Sequence, residues 1–270
     1  MSVATRPRAS SNPWLACLRC IGLALVTPLD LLAYLVRSIG KSEDDALEQS
    51  IRRTVIWGSH CLALMGIRVR VEGEAPESAV LLCPNHAGYV DILALGSVCR
   101  TFFIAQDDLE SWPVLGPMYR SCGHLSISRR RRGAVLRANQ QIAARLRNGH
   151  SVCVFLEGTS SGNDRILPFH ASLVQAAIDA RVPVVPVGIR WRARNGDVDV
   201  SEDVAYWKDH VFGRHLFRLV GLRGVEATIV FGRPMECGTR TRKETAEAVR
   251  LEVVRLTGLA AVTADGERPA

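Results

Sequence analysis

A chain of 270 residues, 47% hydrophobic, is long enough to bury the core of one α/β domain with a helical extension and leaves little room for two full domains. Its net charge of +7 suits an anionic partner, a lipid surface or nucleic acid, without choosing between them. The eight cysteines lie mostly inside apolar runs and lack the spacing of a secreted disulfide framework, so they read as reduced core residues in a cytosolic setting; the one close pair, Cys17 and Cys20, has no second pair or nearby histidine to complete a zinc site.

Residues 1 to 13 are polar, with Arg6, Pro7, Arg8 and Pro13. Trp14 to Ile39 is the most apolar stretch of the protein, but Arg19, Pro28 and Asp30 interrupt it. A clean membrane span needs roughly 20 apolar residues, and the longest uncharged run here is Cys20 to Leu29. The pattern predicts a kinked or re-entrant helical pair lying in one leaflet, with a single span carrying a buried acid as the alternative. No small-x-small cleavage site precedes the charged segment Lys41 to Glu48, so a cleaved secretory signal is not expected. Leu47, Ile51, Val55, Leu62 and Met65 fall at helical spacing with Arg52 and Arg53 on the other side, which predicts an amphipathic helix packed on the domain.

Strands and helices alternate from there. The apolar runs predict strands at Ile67 to Val71 and Ala79 to Cys83, a helix at Tyr89 to Val98, and strands at Thr101 to Ala105 and His124 to Ser128. Between the last two runs a Pro-rich connection carrying Trp112 and Tyr119. A helix follows at Ala134 to Arg147 with Gly149 as its stop, then a strand at Ser151 to Leu156, a helix at Ala171 to Ala180 and a strand at Val184 to Ile189. Residues 192 to 221 break the alternation as an insertion with one helix, Val211 to Val220. Strand Val225 to Phe231 and a helix opened by the capping-box pattern Thr241-x-x-Glu244 complete the chain. The fold class is α/β, with a mostly parallel central sheet flanked by helices and an N-terminal membrane-associated helical segment. The expected division is 1 to 66 for that segment, 67 to 258 for the α/β domain and 259 to 270 for a tail.

The chemistry concentrates in NHAGYVD, Asn85 to Asp91, between two apolar runs. Pro84 resists helix before it, and Asp91 is an acid in the first turn of the following helix. On a continuous helix, residues five apart would point about 140° away from each other, so only a turn lets His86 and Asp91 meet. If they meet, the carboxylate holds one ring nitrogen protonated and frees the other to accept a proton from a substrate hydroxyl. A loop histidine beside a helix-start acid is the plainer reading of one such match.

Three further blocks stand downstream. NHAGYVD resembles the first signature block, Asn-His-x4-Asp, of the glycerolipid and lysophospholipid O-acyltransferases. GHLSISR, Gly123 to Arg129, is similar to their second block; FLEGTSS, Phe155 to Ser161, looks like their third; VPVVPV, Val182 to Val187, looks like their fourth. The blocks keep the family's order and spacing within residues 67 to 235. The resemblance implies transfer of a fatty acyl group from acyl-CoA or acyl carrier protein to the hydroxyl of a lysolipid. It makes His86 and Asp91 the catalytic pair and Arg129, Glu157, Gly158 and Thr159 acceptor-binding residues. It implies no metal and no cofactor beyond the thioester donor, and a seat on the cytoplasmic face of the cell membrane against an anionic surface. The acceptor is 1-acylglycerol-3-phosphate by the family's default, while EGTSSGNDRILPF and HLFRLVGLRGVEATIVFGRPM look most like the lyso-ornithine lipid branch. The chain departs from the third block with Leu156 for Pro, Ser160 for Arg, and His170 where Lys is common.

Two other classes compete. GTSSG, 158 to 162, also fits Gly-x-Ser-x-Gly, the nucleophile elbow of serine hydrolases, with Ser160 as nucleophile and His170, His210 or His215 as partner; the elbow requires a helix directly after the serine, and Gly162, Asn163, Asp164 and Pro168 stand there instead. A non-enzymatic membrane binder is the third reading. Nucleic acid is not expected as a partner, because no such motif appears and the basic residues are not interleaved with aromatics. Arg130, Arg131 and Arg132 are read as surface charge.

Overall fold

The apolar runs become the strands of one seven-stranded sheet in the order β1-β8-β7-β2-β5-β3-β4. The computed structural model describes residues 11–106, 116, 119, 120, 122–128, 133–194, 198–238 and 240–262. The strands are β1 Arg68–Glu72, β2 Leu81–Pro84, β3 Phe102–Gln106, β4 Leu125–Ile127, β5 Val152–Cys153, β7 Val184–Ala193 and β8 Val225–Phe231. All neighbours are parallel except β7 and β8, which run antiparallel with Val187 opposite Phe231. A small second sheet pairs β6, Arg165–Ile166, with β9, Ala260–Ala261, so the chain just after Gly258 is tied to the domain.

Both faces of the central strands are buried, which is why they read as continuous apolar runs. Alternation sends Leu82, Val185 and Val187 into one core layer and Leu81, Val152 and Val184 into the other. The helices covering these layers are α3 Tyr89–Gly96, α4 Ala134–Arg147, α5 Gln175–Ala180, α6 Phe212–Val220 and α7 Arg242–Thr257. Thr241 caps α7 with the reciprocal Glu244 bond that its sequence announces, and Gly149 follows α4 with φ +84°. The strand expected over Ser151 to Leu156 is shorter, and the helix expected over Ala171 to Ala180 is split into a 3-10 turn, Ala171–Leu173, and α5. All eight cysteines are free, and six are buried.

The N-terminal stretch differs from its expectation. Pro13–Ser38 is one α-helix, α1, with Pro28 inside it, rather than a kinked or re-entrant pair. A proline removes one backbone donor, and that loss does not end a helix whose other turns remain bonded. A short connection, 39–42, leads into α2, Glu43–Met65, which packs back along α1: Gly22 lies against Leu64, the Trp57 indole donates to Thr27 Oγ1 at 3.2 Å, and the Arg53 guanidinium stands over the Tyr34 ring. The two charges that interrupt the apolar run are engaged by protein. Arg19 donates to the carbonyls of Val220 and Leu222 at 2.8 and 2.7 Å, closing the C-terminal end of α6, where the dipole favours a cation. Asp30 meets His60 Nδ1 at 3.0 Å. Gly66, with φ +69° after α2, leaves the room Arg19 needs, since a Cβ there would fall 2.0 Å from the guanidinium.

What remains outside on α1 is a stripe at helical spacing, Trp14, Leu18, Ile21, Leu25, Leu29 and Leu32, each at least half exposed. By length and composition α1 is able to cross a membrane, and little of it is buried. Such a stripe exceeds what a water-facing surface tolerates, so α1 associates the protein with a membrane. Arg52 is exposed and pairs with Glu48. Arg53 is not a surface charge as its spacing suggested: it is 6% exposed and donates to Cys122 Sγ.

Arg19 joins α1 to the α/β domain by two charged hydrogen bonds that are partly open to solvent. Arg19→Ala should therefore cost about 1–3 kcal/mol in detergent-micelle urea titrations, with protease cleavage appearing first between α1 and the domain. Unchanged stability and protection would show that these bonds do not hold α1.

Candidate active site

The site forms at the carboxyl ends of β2, β5 and β7, where parallel strands of an α/β sheet leave a crevice. β2 pairs with β5 on one side and β7 on the other, with Pro84 opposite Val187. One residue past β2, the Asn85 amide clamps β7 by accepting from Ile189 N–H at 2.7 Å and donating to Ile189 C=O at 3.0 Å. The chain then turns through His86, Ala87 and Gly88 into α3. Gly88 has φ +154° and lies so close to the next layer that a Cβ would sit 2.7 Å from Tyr206 N. Only glycine fits both demands.

The turn brings His86 and Asp91 together, with Nδ1 2.9 Å from Asp91 Oδ2. Asp91 is fully buried, and four N–H groups surround its carboxylate. Oδ2 accepts from Ala87 N–H at 2.6 Å and Gly88 N–H at 2.9 Å besides His86, while Oδ1 accepts from the Trp191 indole at 2.7 Å. A carboxylate so surrounded acts as an acceptor only, so His86 Nδ1 carries the proton and Nε2 presents a lone pair. The His86 ring stacks on Phe155, centroids 3.9 Å apart, and its side chain is 19% exposed. The arrangement can take a proton from a hydroxyl brought to Nε2.

The backbone of the turn is held as firmly. His86 N–H donates to Glu157 Oε1 at 2.8 Å, His86 C=O accepts from Ser161 N–H at 2.8 Å, and Ala87 C=O accepts from Tyr206 N–H at 2.8 Å. Glu157 is 2% exposed, and its second oxygen accepts from Leu167 N–H at 3.2 Å. Gly158 and Thr159, the next two residues, are exposed at the same strand end. Thus His86, Asp91, Glu157, Gly158 and Thr159 gather at one place. Arg129 to Arg132, and Trp112 of the Pro-rich connection, lie outside the described residues. Asn85, Phe155, Trp191 and Tyr206 were not singled out from the sequence. Asn85 and Phe155 lie inside matched blocks, whereas Trp191 and Tyr206 carry no sequence signal.

Ser160 does not stand on a strand-turn-helix elbow. Its hydroxyl donates to Tyr206 C=O at 2.6 Å, the chain after it runs as loop into β6, and among the described residues no histidine bonds that hydroxyl. His215 is instead bonded to the Tyr89 hydroxyl at 3.0 Å, and burial pushes its pKa down to about 4. Among the described residues no three His, Cys, Asp or Glu side chains gather as a metal ion would need.

Burial pushes the Glu157 carboxyl up to about 8, outweighing the downward pull of the His86 and Leu167 N–H donors; the nearby Asp91 charge adds to the rise and Arg250 opposes it. A carboxyl raised on folding binds a proton that the unfolded chain releases at about 4.5. The stability it supplies is therefore complete below about pH 4.5 and is lost as pH rises through about 8. From pH 5 to 9 the wild type should lose on the order of 4 kcal/mol relative to Glu157→Gln in urea titrations. Parallel stability profiles would contradict this placement of the proton.

The comparisons agree with the geometry. The family model described as Acyltransferase matches residues 66–190, which contain all four blocks. The lyso-ornithine lipid O-acyltransferase of Rhodobacter capsulatus is 30% identical over 200 residues, covering 72% of this chain and 71% of that protein. The 1-acyl-sn-glycerol-3-phosphate acyltransferase of Neisseria gonorrhoeae is 34% identical, covering 61% of this chain and 69% of that protein. The crystal structure of the 1-acyl-sn-glycerophosphate acyltransferase from Thermotoga maritima shares the fold, with a TM-score of 0.63 at 19% identity over 90% of this chain and 96% of that one. With its first and third blocks meeting at the His86 and Asp91 pair and two such relatives covered over most of their length, the chain is an enzyme of the acyltransferase family.

Proposed function

We propose that the protein moves a fatty acyl group from an acyl-CoA or acyl carrier protein thioester to the free hydroxyl of a lysolipid, with His86 as general base and Asp91 as its orienter. The observation that carries this reading is the 2.9 Å contact between His86 Nδ1 and the buried Asp91 carboxylate. His86 Nε2 takes the hydroxyl proton as the oxygen attacks the thioester carbonyl carbon. The carbon–sulfur bond then breaks, and the thiolate leaves with the proton carried by the imidazolium. Asp91 steadies that cation between the two steps. The thioester is already activated, so no acyl-enzyme is needed and Ser160 has no part.

Gly158 and Thr159, exposed beside the pair, are assigned to the acceptor side. Arg129 is assigned there by resemblance alone. Ser160 and His170 stand where a phosphate monoester would be met by cations, and Ser160 is occupied by Tyr206. The acceptor proposed is accordingly a lysolipid with a phosphate-free head group, of the kind named for the Rhodobacter capsulatus and Pseudomonas aeruginosa relatives, both lyso-ornithine lipid O-acyltransferases. The 1-acylglycerol-3-phosphate named for the Neisseria relatives is the other acceptor to test. The proposed working unit is residues 67 to 258, docked by the segment before it on the cytoplasmic leaflet, where the donor arrives.

Purified protein offered a panel of lysolipids should acylate lyso-ornithine lipid in preference to 1-acylglycerol-3-phosphate. His86→Ala should lower the rate by at least about 10²–10⁴-fold with the fold retained, and Asp91→Asn by about 10²-fold or more. Activity within a few-fold of wild type in His86→Ala would sink the dyad. Deleting residues 1 to 40 should release the protein from vesicles or make it aggregate, and should reduce turnover of bilayer substrate more than of detergent-dispersed substrate. A truncated protein that stays membrane-bound and equally active on both would end the docking role.

A further inference from the structure

We infer that Glu157 serves the reaction as a positioning residue that places His86 through its backbone amide, and that it does not touch the acceptor. The inference rests on the reading of His86 as base. Glu157 lies in the turn that follows β5, and β5 pairs with β2, the strand that delivers His86. Its two oxygens are each taken by a main-chain donor, His86 N–H at 2.8 Å and Leu167 N–H at 3.2 Å, and the side chain is 2% exposed. A head group arriving from water would have to reach a carboxylate that is already enclosed and bonded on both sides. Gly158 and Thr159, by contrast, are open to solvent. The third block therefore divides: its acid turns inward to the catalytic turn, and the two residues after it face outward.

The same strand end supports His86 twice. Phe155 stacks on the imidazole at 3.9 Å, and Glu157, two residues on, holds the amide of the same residue. Ser161 N–H holds its carbonyl at 2.8 Å. These two bonds, the Asp91 bond to Nδ1 and the stacked ring set where Nε2 points, and a base does its work only within hydrogen-bond reach of the hydroxyl it deprotonates. Losing the amide bond lets the turn shift while Asp91 still holds the ring. A shift near 1 Å is enough to depress turnover about 10²-fold without altering ground-state binding.

Glutamine is the discriminating replacement. It matches the size of glutamate but carries one acceptor oxygen and one NH2 group. Whichever way the amide is turned, a donor meets the N–H of either His86 or Leu167. An acceptor-binding glutamate makes a different demand, because its loss weakens the hold on the lysolipid.

Steady-state kinetics on the full chain in mixed micelles above about pH 8, where Glu157 is ionised and both of its oxygens only accept, with the lysolipid the wild type turns over, decide between these roles. In Glu157→Gln, kcat should fall about 10²-fold with the acceptor KM within about two-fold of wild type. Glu157→Asp keeps two acceptor oxygens but withdraws them by one methylene. It should show the same split to a smaller degree, and it decides the matter if the glutamine variant does not fold. A raised acceptor KM with kcat intact in either folded variant overturns the positioning role. His86→Ala, measured beside them, separates the two readings. If it is inactive while Glu157→Gln keeps wild-type kcat, only the positioning role falls; if it is active, both fall.

Discussion

The site is built around one buried negative charge. A carboxylate with no solvent exposure is costly unless every lone pair finds a donor, and Asp91 finds four: two amides of its own turn, the imidazole of His86 and the indole of Trp191. The two amides come only if the chain turns tightly through Ala87 and Gly88 into α3. The indole comes only if β7 lies beside β2 in the observed register, because a slip of one residue would send Trp191 to the opposite face. Satisfying one charge therefore fixes the turn, the start of the helix and the pairing of two strands. The same bonds that make the charge tolerable also choose the imidazole tautomer, so the stability of the turn and the chemistry of His86 have a single cause.

Parallel strands supply the rest. Because β2 and β5 are neighbours running in one direction, the residues that follow them emerge side by side, and Phe155 and Glu157 reach His86 without any long loop. The insertion between β7 and β8 returns over this end of the sheet, where Tyr206 bonds both to Ala87 and to Ser160. It closes the layer above the turn and takes up the serine hydroxyl that an elbow nucleophile would need free.

A similar economy governs the N-terminal helices. Arg19 and Asp30 would each forbid a lipid-facing helix if they pointed outward. Arg19 instead completes the C-terminal end of α6, and Asp30 pairs with His60 of α2. With Arg19 and Asp30 turned to the protein, α1 shows an apolar stripe on its other side. The helix is thereby amphipathic in an inverted sense, polar toward the domain and apolar toward its surroundings, and the bonds that anchor it to the domain are the ones that clear its outer face.

The alternation of apolar runs and turns determined by itself that the chain is α/β with a largely parallel sheet, since buried strands and amphipathic helices differ in period and length. The local signals held as well: the capping box at Thr241, the stop at Gly149, and the turn that must bring His86 to Asp91, because cap, φ and dipole preferences act over a few residues. What the sequence could not determine depended on contacts between distant residues. Trp191 lies 100 positions from the carboxylate it bonds, and Glu157 lies 71 from the amide it holds, so no local pattern marks either. The burial of Arg53 was likewise decided by the antiparallel packing of α2 on α1 and by Cys122, contacts that hydropathy along a single segment cannot count. Local sequence chose which groups carry charge and which backbones turn; only the tertiary structure decided which of those groups are enclosed, because the cost of enclosing a polar atom is met by whatever donor the fold brings beside it.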